Sequence, residues 1–198
     1  EALGNLSGDL KDLIIAAIRS GNAAQRQEAL TLGLESETID ERGRAEISEA
    51  ALRSALAAGT ASLEERRVNQ EVRQTAVRQL EQLRWSRATD LVINHFGAAA
   101  LEYDRGTVTA GYLVDAINGL GAMGTHEAAE RLTLYLELLN SYREHGQPYE
   151  EQIVLAVISN IERLGDKVAF ANLSYVQYLD YSDTVRQAAR RAIDALKW

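Results

Sequence analysis

One short pattern occurs twice, far apart, in this 198-residue chain. Residues 72–83 read VRQTAVRQLEQL, and residues 185–196 read VRQAARRAIDAL. Similarity between distant segments is the signature of repeat architectures, in which each unit buries its apolar face only by stacking on its neighbours. The pattern therefore predicts a chain that is built from copies of one helical unit.

The apolar residues of the pattern are spaced so that they share one face of a helix. The same spacing recurs twice between the two copies, with a weak first position at Thr109. A second apolar pair follows each of the first three copies and predicts a second helix there. The four sets are Val72, Ala76, Leu80 and Leu83; Thr109, Leu113, Ile117 and Leu120; Ile153, Val157, Ile161 and Leu164; and Val185, Ala189, Ile193 and Leu196. The pairs are Ala88 and Val92, Ala128 and Leu132, and Ala169 and Leu173.

Helical periodicity continues over nearly the whole chain, and no segment shows the alternation that is typical of a strand. Capping boxes are predicted at Asn22 with Gln25 and at Ser62 with Glu65. Four glycines suit left-handed positions after helices: Gly106, Gly124, Gly146 and Gly165. We expect helices at about 8–20, 22–36, 44–59, 62–83 (with a break near Asn69), 87–104, 108–122, 126–145, 149–164, 167–180 and 184–197.

The pattern resembles the two helices of HEAT repeats. The first helix of that family tends to read Val-Arg-x-x-Ala-x-x-x-Leu-x-x-Leu, and a short turn leads to an Ala-x-x-x-Leu helix. Residues 72–96 and 185–196 look like this motif, and residues 109–139 and 153–179 match its apolar skeleton. The family often places an Asp six residues before the Arg to form a ladder between repeats.

This resemblance implies an all-α fold: a right-handed α-α superhelix, or HEAT-like solenoid, of about four to five helical hairpins. We expect one solenoid domain over residues 1–198, with divergent helices over 1–60 and HEAT-like repeats over 62–198. Asp180 and Arg186 have the spacing that the ladder requires.

The charge and the residue types exclude several function classes. The net charge of −8 disfavours nucleic-acid and anionic lipid surfaces. The chain has no cysteine, so disulfides, thiolate metal sites and cysteine nucleophiles are excluded. No apolar run approaches the length that spans a bilayer. The sequence is compatible with a cytoplasmic protein and with one that is exported after removal of an N-terminal segment.

Residues 119–124, GLGAMG, match the glycine pattern of dinucleotide-binding folds. That motif requires a parallel sheet around it, and the sequence predicts no strands. We interpret the segment as the end of a helix and the turn that follows it.

No catalytic constellation is present in the sequence. His95, His126 and His145 share no metal-ligand spacing and are predicted to be surface or turn residues. Acid pairs such as Glu64 and Glu65 lie at predicted helix starts, where they favour the helix dipole. We therefore predict no enzyme activity, no cofactor and no metal.

All eight tyrosines lie beyond residue 100. Tyrosine and arginine are enriched at binding hot spots, and the second helices of such solenoids line the concave surface. An amphipathic rim, with packed rings and wet hydroxyls, is the alternative interpretation. The candidate partner-binding residues are Arg131, Tyr135, Leu138, Tyr142, Tyr175 and Tyr178.

The sequence thus favours a non-catalytic scaffold that binds a protein or peptide of unknown identity through its concave face. One alternative is a structural module that self-associates or belongs to a longer array, which an apolar Trp198 at the end of the last repeat motif would suit. A HEAT-like enzyme or nucleic-acid-binding protein is less favoured. The basic spots Arg66-Arg67, Arg84 with Arg87, and Arg190-Arg191 are flanked by acids, which favours solvated ion pairs.

Overall fold

The structure of this chain is a computed structural model that describes residues 2–59 and 62–197, with side chains from Gly8 onward; Trp198 lies outside these ranges. The described residues form helices and no strand, as the sequence predicts, apart from an isolated parallel bridge between Asp166 and Lys197. The helices are α1 (Ala2–Ser20), α2 (Ala23–Glu35), α3 (Glu41–Ala57), α4 (Leu63–Gln82), α5 (Thr89–Asp104), α6 (Ala110–Ala122), α7 (His126–Glu144), α8 (Glu151–Leu164), α9 (Phe170–Tyr175) and α10 (Asp183–Asp194).

Helix ends lie close to the predicted positions because the local capping chemistry forms. The Asn22 side chain accepts a hydrogen bond from the Gln25 backbone N–H, and the Gln25 side chain accepts one from the Asn22 N–H, both at 3.0 Å. Ser62 Oγ accepts from the Glu65 backbone N–H at 3.1 Å. Positive φ angles occur at the four predicted glycines: Gly106, Gly124, Gly146 and Gly165.

Two segments differ from the prediction. Helix α4 runs unbroken through Asn69, because this buried side chain accepts a hydrogen bond from Arg26 Nη1 at 2.7 Å and so has a partner inside the fold. The predicted helix over 167–180 is divided into a 3₁₀ turn (Lys167–Ala169), α9 and a second 3₁₀ turn (Val176–Tyr178).

Residues 1–91 form one compact unit and residues 92–198 form another. In the first unit, α1 packs against α2 and α3, and α4 packs against the same two helices. Helices α2 and α3 also pack against each other, so each helix has at least two partners for its apolar stripe. The core includes Ile18, Leu30, Ile47, Leu52, Val72 and Leu80.

In the second unit, α6 and α10 both pack against α8, while α7 packs against α8 and α9. Most of the apolar positions of the repeat pattern are buried, as their spacing predicts. Thr109, the weak first position, is the N-cap of α6 and accepts a hydrogen bond from the Tyr112 N–H at 3.3 Å. A polar residue at that position therefore follows from its place just before the helix.

Asp180 and Arg186, which have the spacing of the ladder, have other partners in the structure. Arg186 Nη2 donates instead to Asp183 Oδ1 at 2.8 Å, and Arg143 of α7 donates to Asp180. Asp180 lies in the extended turn before α10, where the α7 guanidinium reaches its carboxylate and its backbone carbonyl.

The segment 119–124 is the end of α6 and its turn, as we interpreted it. Gly121 lies where α6 meets α8: a Cβ at this position would lie 2.0 Å from Asn160 Oδ1 and 2.6 Å from Asn160 Cβ. Asn160 is 4% exposed, and its Nδ2 donates to Asn118 Oδ1 at 2.9 Å. Because even the Cβ of Asn160 is too close, no side-chain rotation could make room for an added methyl group.

We expect Gly121→Ala to destabilise the protein by about 1–3 kcal/mol through overpacking. Helix propensity alone would have the opposite effect on stability, because it favours Ala over Gly by ~1 kcal/mol. Gly111→Ala is the matched control in the same helix, where the added Cβ meets only Thr109 Oγ1 at 3.7 Å. Urea denaturation measures both, and equal stability changes for the two variants would contradict the close packing.

Candidate functional site

Helix α7 presents the outer face on which most of the predicted partner-binding residues lie. Thr125 Oγ1 caps the helix by accepting from the Ala128 N–H at 3.3 Å. The inner side is buried through Ala128, Ala129, Leu132 and Leu136. Helical periodicity then leaves the residues between them on the solvent side.

A groove of about 200 Å³ lies between α5 and α7. Its lining includes buried Phe96 on α5, and the ring of Tyr135 meets the Phe96 ring edge-on with centroids 5.1 Å apart. Leu134 and Leu138 on α7 also line the groove while remaining 56% and 40% exposed. The groove therefore exposes two large apolar side chains to solvent.

Three of the six predicted residues line this groove: Arg131, Tyr135 and Leu138. Tyr135 is half-buried, and burial, with a smaller effect of the Asp104 carboxylate, raises the pKa of its phenol. This tyrosine thus contributes ring packing to the groove wall.

The other three predicted residues lie outside the groove. Tyr142 is 39% exposed near the end of α7, and Tyr178 is 83% exposed on a 3₁₀ turn. Tyr175 donates its hydroxyl to Glu144 Oε1 at 2.8 Å, and this hydrogen bond raises the pKa of the phenol. The structure therefore joins Tyr175 to the end of α7, and Tyr178 has no such contact.

Leu134 is the α7 residue of the groove that is not among the candidates predicted from the sequence. It lies four residues before Leu138 on the same helix, so helical spacing places the two leucines on one side of α7 but does not show which helix borders that side. Tyrosine has a distinctive chemistry at binding surfaces, whereas one more leucine in an apolar helix carries no such signal.

A row of acidic side chains follows the other edge of the α7 outer face. Glu130, Glu137 and Glu144 are seven residues apart, close to two helical turns, so they share one side of the helix. All three are exposed. Glu130 Oε1 lies 3.2 Å from His126 Nε2, and Glu137 has no hydrogen-bond or ion-pair partner among the described residues.

A larger cavity of about 340 Å³ in the first unit is lined mainly by charged residues, which are three arginines and two glutamates. Arg53 donates to Glu49 Oε1 at 3.0 Å, and Trp85 Nε1 donates to Glu49 Oε2 at 3.3 Å. Arg87 Nε lies 4.0 Å from the same carboxylate. Within the predicted basic spots, Arg87 therefore lies near a carboxylate, and Arg67 is ion-paired through its Nε, which lies 3.2 Å from Glu71 Oε1.

The three histidines lie in different environments. The prediction of a surface position is wrong for His95, which is 1% exposed in α5 with its ring 5.8 Å from that of Tyr112. His145 is the C-cap of α7, and its Nδ1 contacts the Ser141 carbonyl oxygen at 2.7 Å. His126, the first residue of α7, contacts Asp166 Oδ2 through Nδ1 at 2.6 Å. Within residues 8–59 and 62–197, no three His, Asp or Glu side chains are grouped to hold a metal ion.

Comparison with protein-family models, with curated proteins and with solved structures gives no match to this chain. None of the helices in the described ranges has the length and apolar character needed to cross a membrane. The geometry of the α7 face is therefore the basis for any statement of function.

The His126–Asp166 pair predicts a pH-dependent stability. The hydrogen bond and charge of Asp166 raise the pKa of His126 above its ordinary 6.5, and the same pair lowers the pKa of Asp166 below its ordinary 3.8. The histidine contribution is full below pH 6.5 and is lost as the pH rises through the folded pKa of His126. The aspartate contribution is full above pH 3.8 and is lost as the pH falls through the depressed pKa.

We therefore expect His126→Gln to lower the free energy of unfolding at pH 5–6 and to have a smaller effect at about pH 9. Urea denaturation of the wild-type and variant proteins at each pH measures the difference in their free energies of unfolding. The contributions of other titrating groups cancel in this difference because both proteins contain them. An equal loss at both values of pH would show that the ion pair does not contribute.

The orientation of α7 predicts contrasting effects for two of its leucines. Leu132→Ala removes a side chain with 0% exposure and should cost about 2–5 kcal/mol of stability. Leu134→Ala removes a side chain that is 56% exposed and should change stability by less than about 0.5 kcal/mol. Denaturant titration measures both losses of stability. A larger loss for Leu134→Ala than for Leu132→Ala would contradict this orientation of α7.

Proposed function

We propose that this chain is a non-catalytic scaffold of the HEAT-like solenoid type that binds a protein or peptide through the outer face of α7. The observation that carries the proposal is the pair Leu134 and Leu138, which are exposed and line a groove whose lining also includes the buried Phe96. Exposed apolar side chains that flank a groove typically mark a site of association.

The packing order in the second unit supports the solenoid part of the proposal. Helices α6, α8 and α10 pack in sequence, and α7 packs against α9, which is the arrangement expected of stacked helical hairpins. In such an array α5, α7 and α9 are the second helices, which are the ones that would line a concave binding surface.

Selection from a peptide library of unbiased charge against the immobilised protein tests the proposal. Selected peptides should bind the Leu134→Asp/Leu138→Asp variant at least about ten-fold more weakly, since charged side chains at the groove remove the apolar contact. The matched control is Leu13→Asp/Leu32→Asp, in which both leucines are exposed in the first unit, at 69% and 58%. Fluorescence anisotropy gives the affinities.

Equal affinity for both double variants would refute the α7 site. Enrichment of no peptide at all would refute the scaffold function. Sedimentation velocity of the wild-type and variant proteins tests the alternative of self-association. A wild-type dimer that the Leu134→Asp/Leu138→Asp change dissociates would assign this face to contacts between copies of the chain.

A further inference from the structure

We infer that the partner segment bound by the α7 face is a cationic amphipathic helix of about three turns. This inference rests on the proposed function and names the chemistry of the partner. It follows from the distribution of apolar and charged side chains around α7, from the length of the row of residues that faces the groove, and from the secondary structure of the described residues.

The outer face of α7 is divided lengthwise into an apolar half and an acidic half. At about 100° per residue, Leu138 and Tyr142 lie on the side of Leu134 that faces the α5 groove. Glu137 and Glu144 lie on its opposite side, where Glu144 meets Tyr175 of α9. A partner that covers the leucines therefore places its own flanking side chains over carboxylates.

The charges around the apolar stripe are predominantly negative. Five carboxylates surround it, and Arg131 and His126 are the cations on the α7 outer face. The His126 imidazole already contacts Glu130 and Asp166. The carboxylates belong to Glu127, Glu130, Glu137 and Glu144 on α7 and Asp104 on the α5 side of the groove. Lysine or arginine beside the apolar residues of a partner would complement this field, and anionic segments would be repelled.

The geometry favours a helix as the bound conformation. The row of groove-side residues from Arg131 to Tyr142, which includes Leu138, is about 17 Å long and matches about three helical turns. An extended peptide obtains much of its affinity by pairing with an exposed strand edge, and the described residues contain no strand. A helix satisfies its own backbone hydrogen bonds and can lay one apolar ridge into the groove between α5 and α7.

Three synthetic peptides test this inference. Each is a 14-residue acetylated helix with the same leucine face, and the polar positions are lysine in the first, glutamine in the second and glutamate in the third. Fluorescence anisotropy with the wild-type chain should show that the lysine peptide binds about ten-fold more tightly than the glutamine peptide at low salt. The glutamate peptide should bind most weakly, and added salt should reduce the difference.

A matched pair of charge reversals locates the attraction. Glu137→Lys should weaken binding of the lysine peptide about five-fold, because it replaces an exposed carboxylate beside the leucines. Glu28→Lys makes the same change in net charge on the exposed side of α2 and should leave the affinity unchanged. Equal weakening by both variants would show that the net charge of the protein, and not the position of Glu137, determines the affinity for the lysine peptide. That result would overturn the inference.

The remaining outcomes separate the inference from the function on which it rests. If the glutamine peptide binds as tightly as the lysine peptide, and both lose affinity for the Leu134→Asp/Leu138→Asp variant, the α7 site stands and the cationic partner is overturned. If none of the three peptides binds while library-selected peptides do, the helical partner is overturned and the scaffold remains. If the lysine peptide binds a Leu134→Ser/Leu138→Ser variant, which adds no charge, with unchanged affinity, both are overturned.

Discussion

The packing of α8 against α6 and α10 is the contact on which the order of the second unit depends. Ile153, Val157 and Ile161 are buried in α8, and an amphipathic helix of this length is marginal in water without such burial. The close approach of α6 at Gly121 is part of the same contact, since a side chain there would separate the two helices. Once these helices are aligned, α7 has one side that is covered and one that is not.

The position of α7 explains why its leucines have different roles. Leu132 is buried, whereas Leu134, two residues later, is exposed beside the groove. Both are good helix formers, so helix propensity does not distinguish them. The difference arises because α8 and α9 cover the inner side of α7, while its outer side borders a groove that remains open.

Charge is arranged differently in the two units. In the first unit, Glu49 accepts hydrogen bonds from Arg53 and Trp85, so its charge is compensated within the cavity that it lines. On the α7 face, Glu137 has no such partner among the described residues. The exposed Glu137 carboxylate beside exposed leucines forms a surface that a cationic, apolar segment would complement, and this contrast is why we propose α7 for the binding role.

The sequence alone determined the all-helical fold, most helix ends and most of the buried repeat positions. These features depend on local chemistry: a capping side chain such as Asn22 lies within one turn of its partner, and helical spacing places Val72, Ala76 and Leu80 on one face. Only the tertiary structure decided that Arg143 rather than Arg186 reaches Asp180, that His95 is buried, and that Leu134 lines a groove with Phe96. Those contacts join residues that are far apart in the chain or that share a helix with equally apolar neighbours, so they are set by which helices pack together, and local sequence patterns do not encode that choice.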